Sequence, residues 1–182
     1  MGKTRHHPPV KIIIACTRIS GSDLIPVHAA LEEKLSAIEH ISPTFDFSSF
    51  TDYYADEMGS SLEKDFIVFT RLEEPEILPS LKRWTNELEK KLSSGGKRIF
   101  NLDPGYICDA RLVLATTKNY THRLYLSEGI FGDVHLIYQN HSFREQPWTY
   151  PDYRQPEIIG FFNTIRDEYM RQLGQWYTQN KI

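Results

Sequence analysis

The chain has 182 residues, 40% hydrophobic, 25% charged and 13% aromatic, with 10 glycines and 10 prolines dispersed along it. That composition is ordinary for a globular domain and excludes collagen, a coiled coil and a disordered polymer. Twenty-one basic against 24 acidic side chains leave a formal charge of −3, so no global field draws the protein to phosphate polymers, which argues against bulk nucleic-acid binding.

Residues 1–9 are polar and proline-terminated and read as a flexible tail, in which His6 and His7 offer either a frayed end or a metal pair. Residues 10–17 form an unbroken β-branched run that predicts a strand buried on both faces. Its aliphatic part, residues 12–16, is the longest in the chain and far short of the roughly 20 residues a membrane span needs. It is also too short for the apolar region of a secretory leader, so the cytoplasm is the expected compartment. Cys16 and Cys108, with no CxxC spacing, then read as reduced core thiols.

Asp23 can cap a helix with Pro26 in its first turn, along which Leu24, Val27, Leu31, Leu35 and Ile38 recur at three- and four-residue steps. Pro43 ends it, and Phe45, Phe47 and Phe50 begin a short extended segment running into the polar loop 51–61. Residues 62–72 predict an internal strand. A second helix follows, punctuated by Pro75 and Pro79, with an apolar stripe of Ile77, Leu81, Trp84, Leu88 and Leu92, stopped by Ser93, Ser94, Gly95 and Gly96. Residues 97–102 predict another strand, which completes the strand-helix-strand-strand-helix-strand order of a ferredoxin-like unit.

After it, Asp103-Pro104-Gly105 opens two readings. A helix with Asp103 as N-cap would carry Ile107, Ala110 and Leu114 on one side and is preferred; a type II turn would lead into another strand. Residues 122–126 and 130–139 predict a hairpin through Ser127, Glu128 and Gly129, residues 146–155 an irregular aromatic strap, and Ile158, Phe162, Ile165, Tyr169 and Leu173 a final helix. The expectation is an α+β fold. It comprises a ferredoxin-like βαββαβ core extended by a helix or turn, a β-hairpin and a C-terminal helix, in one domain over residues 10–175 with a tail at 176–182.

Four segments concentrate polar and aromatic residues. In the loop 50–59, Asp52 and Glu57 flank Tyr53 and Tyr54, a set suited to a hydroxylated ligand or a hard cation, or else a solvated acidic loop pinned by its rings. Asn101, Asp103 and Tyr106 lie at the end of a predicted central strand, where α/β ligands collect, although Asp103 as a cap is the plainer alternative. Lys118, His122 and Arg123 are three cations within six positions, fit for gripping phosphate or carboxylate, with His122 also able to shuttle a proton. The strap brings Trp148, Asp152 and Arg154, as pocket wall or as core packing. On the second helix Lys82, Asn86 and Glu89 share a polar side that reads as a solvated face, while Asp52, Glu57 and Glu89 offer an alternative divalent-ion set. Phosphate-loop, GxGxxG, GxSxG, HExxH and CxxC patterns are all missing, which removes the common nucleotide, hydrolase, zinc and thiol signatures.

At these segments the chain resembles a prokaryotic family known as domain of unknown function 4416, nearly from end to end. The carriers are residues 50–54 with Glu57-Met58-Gly59, residues 84–89, 101–106, 112–118 with 122–126, and 148–154. The first strand, residues 13–18, departs from the glycine-containing version associated with the family. The resemblance implies no stated activity. Some members carry a GTP-binding description, which the missing phosphate loop and the lack of an Asn-Lys-x-Asp motif before the C-terminal tail do not support here. What it implies is that the marked residues converge on one cleft.

The expected function is cytoplasmic binding of a small anionic ligand, a nucleotide or phosphorylated metabolite, with or without turnover. Lys118, His122, Arg123 and Arg154 would supply cations, and Asp52, Glu57 and Asp103 acid/base or cation contacts. Tyr54, Tyr106 and Trp148 would supply ring walls, and Asn86, Asn101 and Asp152 polar edges. Asp103 and His122 are the expected acid/base pair. The alternative is a non-catalytic module that docks a protein or a structured RNA. Cofactor, metal and oligomeric state stay open.

Overall fold

The structure is a computed structural model that describes residues 2–3 and 6–180. The first strand, β1 (Val10–Ile19), is buried on both sides. Val10, Ile12, Ile14 and Cys16 enter one core cluster, and Ile13 and Ala15 the cluster on the opposite face. There follow α1 (Ile25–Lys34), β2 (Ile38–Ile41), β3 (Phe45–Asp46), the single turn α2 (Ala55–Met58), β4 (Leu62–Glu73), α3 (Ile77–Lys91) and β5 (Phe100–Ile107). Then come β6 (Arg111–Thr116), β7 (Arg123–Ser127), β8 (Ile130–Gln139), β9 (Ser142–Glu145), a 3-10 turn over Pro151–Arg154 and α4 (Pro156–Asn180).

All strands join one antiparallel sheet in the order β2-β4-β1-β5-β6-β8-β7, with β3 added to β4 and β9 to β8. Helices α1 and α3 cover one face through Val27, Leu31, Leu81 and Leu88. The other face is covered by Ile158, Phe162 and Ile165 of α4 together with Tyr153 of the strap. The protein is therefore a mixed α+β fold whose first strand is buried on both faces. Among the described residues no helix is long and apolar enough to cross a membrane. Cys16 and Cys108 are buried free thiols, and burial pushes the Cys16 thiol up to about 12, leaving it unreactive.

Three expectations are corrected. Residues 104–117 are not helical: Asp103, Pro104 and Gly105 lie inside β5, and β6 follows after a short turn. Strand pairing overrides the capping pattern, because Gly105 opposes Leu114 so closely that a Cβ on it would meet the Val113 carbonyl oxygen at 2.5 Å and Leu114 Cδ2 at 2.8 Å. Helix α1 stops at Lys34, since Ile38 is taken into β2 by pairing with Phe69, and β2 lies on the outer edge of β4. Last, α4 continues to Asn180, so residues 176–180 of the expected tail are helical, Trp176 packing on the core. Residues 181–182, with 1, 4 and 5 of the expected N-terminal tail, lie outside the described residues. That tail is tied down at its end, where the buried Pro9 carbonyl accepts the Tyr169 hydroxyl at 3.1 Å.

The contact at Gly105 is testable. Gly105→Ala forces two backbones apart and is expected to lower unfolding stability by about 1–3 kcal/mol. Urea denaturation checks it, and an unchanged midpoint would mean that β5 and β6 do not approach so closely.

Candidate functional site

The site originates where the sheet splits. β5 pairs with β6 only at Gly105, Tyr106 and Ile107. Ahead of these, among the described residues, no strand covers that edge of β5, and α3 supplies the missing partners. Glu89 Oε1 accepts the Leu102 amide at 2.6 Å and Lys82 Nζ donates to the Leu102 carbonyl at 3.1 Å. Side chains thus replace a ladder. Backbone alternation puts the nitrogen of Pro104 on the same open edge, where its missing N–H costs nothing. Between this edge, the end of β6, the loop before β4 and the strap lies a cavity of about 1150 Å³.

Its floor is built from ion pairs. Lys64 Nζ donates to Asp152 Oδ2 at 2.5 Å, and both side chains are buried. The Lys64 ammonium also sits 4.8 Å from the ring centroids of Phe47 and Tyr153 and 5.4 Å from that of Phe66. Lys82 Nζ donates to Asp103 Oδ1 at 2.8 Å and the Asn101 amide to Asp103 Oδ2 at 2.7 Å. Burial pushes Asp103 up, but the charges of Lys82 and Lys64 and the Asn101 bond more than offset it, holding the carboxyl below its usual range. Glu89 goes the other way: burial outweighs Lys82, the Leu102 amide and Arg98 and keeps it raised.

A second network fixes the strap. Arg123 donates through Nε to Asp133 Oδ2 at 2.9 Å, through Nη2 to the Tyr150 hydroxyl at 2.8 Å and through Nη1 to the Lys118 carbonyl at 3.2 Å. His135 is wholly buried, and its Nε2 accepts the Tyr150 amide at 3.0 Å. The proton therefore resides on Nδ1, which faces Asp133 Oδ1 at 3.3 Å. Burial lowers the His135 pKa further than Asp133 can raise it. For Asp133 burial raises the pKa, and His135 and Arg123 bring it below the usual carboxylate value.

Of the residues singled out by sequence, Tyr54, Glu57, Asn86, Asn101, Asp103, Lys118, Arg123 and Asp152 line the cavity. Five do not. Asp52 is exposed on the loop. Tyr106 points to the opposite face and packs among the helices. Arg154 folds back to donate to the Thr149 carbonyl at 2.8 Å. His122 stacks on Trp148 with ring centroids 4.9 Å apart and approaches Asp133 at 3.3 Å, while Trp148 Nε1 donates to the Val134 carbonyl. The expected pairing of Asp103 with His122 is therefore not made, each having its own partner. His122 and Arg123 nonetheless converge on Asp133, because His122 lies in the turn before β7 and escapes strand alternation.

The solvated face expected on α3 is also overturned, since the Lys82 and Glu89 side chains are only 7% and 5% exposed. Lys64, Arg98, Asp133 and His135 went unrecognised. The signal available for three of them was a charge inside an apolar strand, Lys64 in β4 and Asp133 with His135 two residues on in β8.

The divalent-ion set does not assemble: Arg98 stands between two of its members, donating to Glu57 at 2.7 Å and to Glu89 at 3.0 Å. One group among the described residues has metal-ligand spacing, Glu39, His40 and Glu168, with ligand atoms within 4.8 Å of one another. It is internally satisfied, Glu39 by Lys11 at 2.6 Å and His40 by Glu168 at 2.7 Å.

Fold and site together define an α+β protein with a charge-paired cleft at the opening of its sheet. The chain belongs to the family described as domain of unknown function (DUF4416), whose model matches residues 8–169. No curated protein and no solved structure matches it.

His135 makes the strap pH-dependent. The unfolded chain takes up a proton near the ordinary histidine value of 6.5 while the folded protein, with its lowered pKa, does not, so stability is complete above about 6.5 and falls as the pH drops below it. His135→Gln removes that slope between pH 6.5 and 5, measured as denaturation midpoints, at a cost of about 1–3 kcal/mol for the buried bonds lost.

Proposed function

We propose that the cleft binds a small oxygen-rich molecule with an anionic group, a nucleotide or phosphorylated metabolite, on a ferredoxin-like core of β1, α1, β2, β4, α3 and β5. The order β2-β4-β1-β5, with every neighbour antiparallel, supports that core. The observation that carries the function is the unspent hydrogen-bonding capacity of the cavity lining. Lys64 is buried, yet among the described residues only one of its three N–H groups has an acceptor. Lys82 uses two, Lys118 uses one, on the Tyr53 hydroxyl at 2.9 Å, and Arg98 Nε is buried without a partner. Buried donors without acceptors favour a ligand that brings oxygens.

The rings of Phe47, Tyr54, Tyr150 and Trp84 line the same cavity and supply a surface for a planar body. Asp103, held ionised, would accept a hydrogen bond from a hydroxyl or ammonium that the ligand presents. The interaction-module alternative draws less support, because the strap spends Tyr153 in the core and Trp148 on His122.

A thermal-shift panel of nucleotides and sugar phosphates tests the reading. A ligand at a hundred times its Kd adds about 2.7 kcal/mol, a rise of roughly 5–10 °C for a chain of this size. The paired variant Lys64→Gln with Asp152→Asn, which removes both buried charges together, is expected to abolish the shift. No response across the panel, or one that the paired variant leaves unchanged, would refute the assignment.

A further inference from the structure

Resting on that reading, we infer that the cleft selects ligands with one compact oxyanion head and an uncharged, ring-bearing body, inserted head first, and that it discriminates against triphosphates and bisphosphates. The reason is the difference in burial between the ion pairs of the mouth and those of the floor. The cavity walls carry equal numbers of basic and acidic side chains, so the space as a whole offers no surplus of positive charge. At the mouth three cations are each paired with a carboxylate. Arg83 pairs with Glu128 at 2.5 Å, Lys90 with Glu87 at 2.6 Å and Arg98 with Glu57 at 2.7 Å. These three carboxylates are about half exposed or more, at 49%, 62% and 51%, and face the solvent through which a ligand enters.

The floor is charge-paired as well, Lys64 with Asp152 and Lys82 with Asp103, but both lysines are buried, so the N–H groups they keep without an acceptor among the described residues are shielded from solvent, and Lys118 keeps two on the wall. One oxyanion seated there meets several donors. A second or third phosphate, extending back toward the mouth, meets Glu57, Glu87 and Glu128, whose cations are spent. Like-charge juxtaposition of that kind discriminates between ligands. The aromatic side chains lie where the body of a head-first ligand would pass: Tyr53 is under the Lys118 ammonium at 4.2 Å and Tyr54 beside the Arg98 guanidinium at 5.5 Å.

The test is isothermal titration of the full chain at low ionic strength and without divalent ions. Two matched probe pairs are used, guanosine 5′-monophosphate against the 5′-triphosphate and glucose 6-phosphate against fructose 1,6-bisphosphate. The singly phosphorylated member of at least one pair is expected to bind about tenfold tighter than its partner. Glu87→Gln with Glu128→Gln, two exposed positions, leaves Lys90 and Arg83 unpaired at the mouth and is expected to shrink that preference by about threefold or more. Equal or tighter binding of the triphosphate and bisphosphate by the unaltered protein would overturn the selectivity alone, as would a preference that the double variant does not move. If none of the four probes binds, the anion-site reading falls and the selectivity falls with it.

Discussion

The structure turns on the place where β5 parts from β6. Gly105 lets the two backbones meet more closely than any side chain permits, and one residue earlier the strands separate. A strand edge buried without partners would be strongly unfavourable. Glu89 and Lys82 complete it from α3, and in doing so bring a carboxylate and an ammonium into the interior. Neither would lie there if the ladder were continuous. The cavity is thus a consequence of how the sheet solves a backbone hydrogen-bonding problem, and its polar floor is the material of that solution.

Once charges are inside, each requires a partner, since an isolated buried ion is far more costly than a paired one. Lys64 with Asp152, Lys82 with Asp103 and Arg123 with Asp133 meet that requirement across elements distant in sequence. The pairs also transmit position. Asp152 belongs to the strap and Lys64 to the central sheet, so their bond fixes the aromatic segment over the cavity. Arg123 and His135 hold the same segment at Tyr150, by hydroxyl and by amide. The resulting wall is rigid because several independent polar contacts determine it, and a rigid wall is what selective binding needs.

Arg98 illustrates how such a cleft can resemble a metal site and differ from it. Two carboxylates from separate elements, Glu57 and Glu89, converge as ligands of a cation would, and the cation is a guanidinium of the same chain. Its Nε is buried without an acceptor among the described residues. Fold alone specifies no chemistry. The match to a family of unknown function adds membership without a mechanism, so the functional reading stands on these side chains.

Several features were legible in the linear sequence because their cause is local. The β-branched run of β1 announced a strand buried on both sides, the apolar stripe of α3 its length, and Ser127-Glu128-Gly129 the hairpin of β7 and β8. Eight of the residues picked out for polarity and aromaticity do line one cavity. What stayed hidden depends on contacts between segments far apart in the chain. Asp103-Pro104-Gly105 carries a helix-start pattern, and only the nearness of Val113 and Leu114 makes it a strand. Lys82 and Glu89 have the spacing of a solvated helix face until the open edge of β5 claims them. Sequence determined the periodicities and the inventory of charges. Tertiary structure decided which charges are buried together, because burial and pairing are properties of neighbours in space that no spacing along the chain encodes.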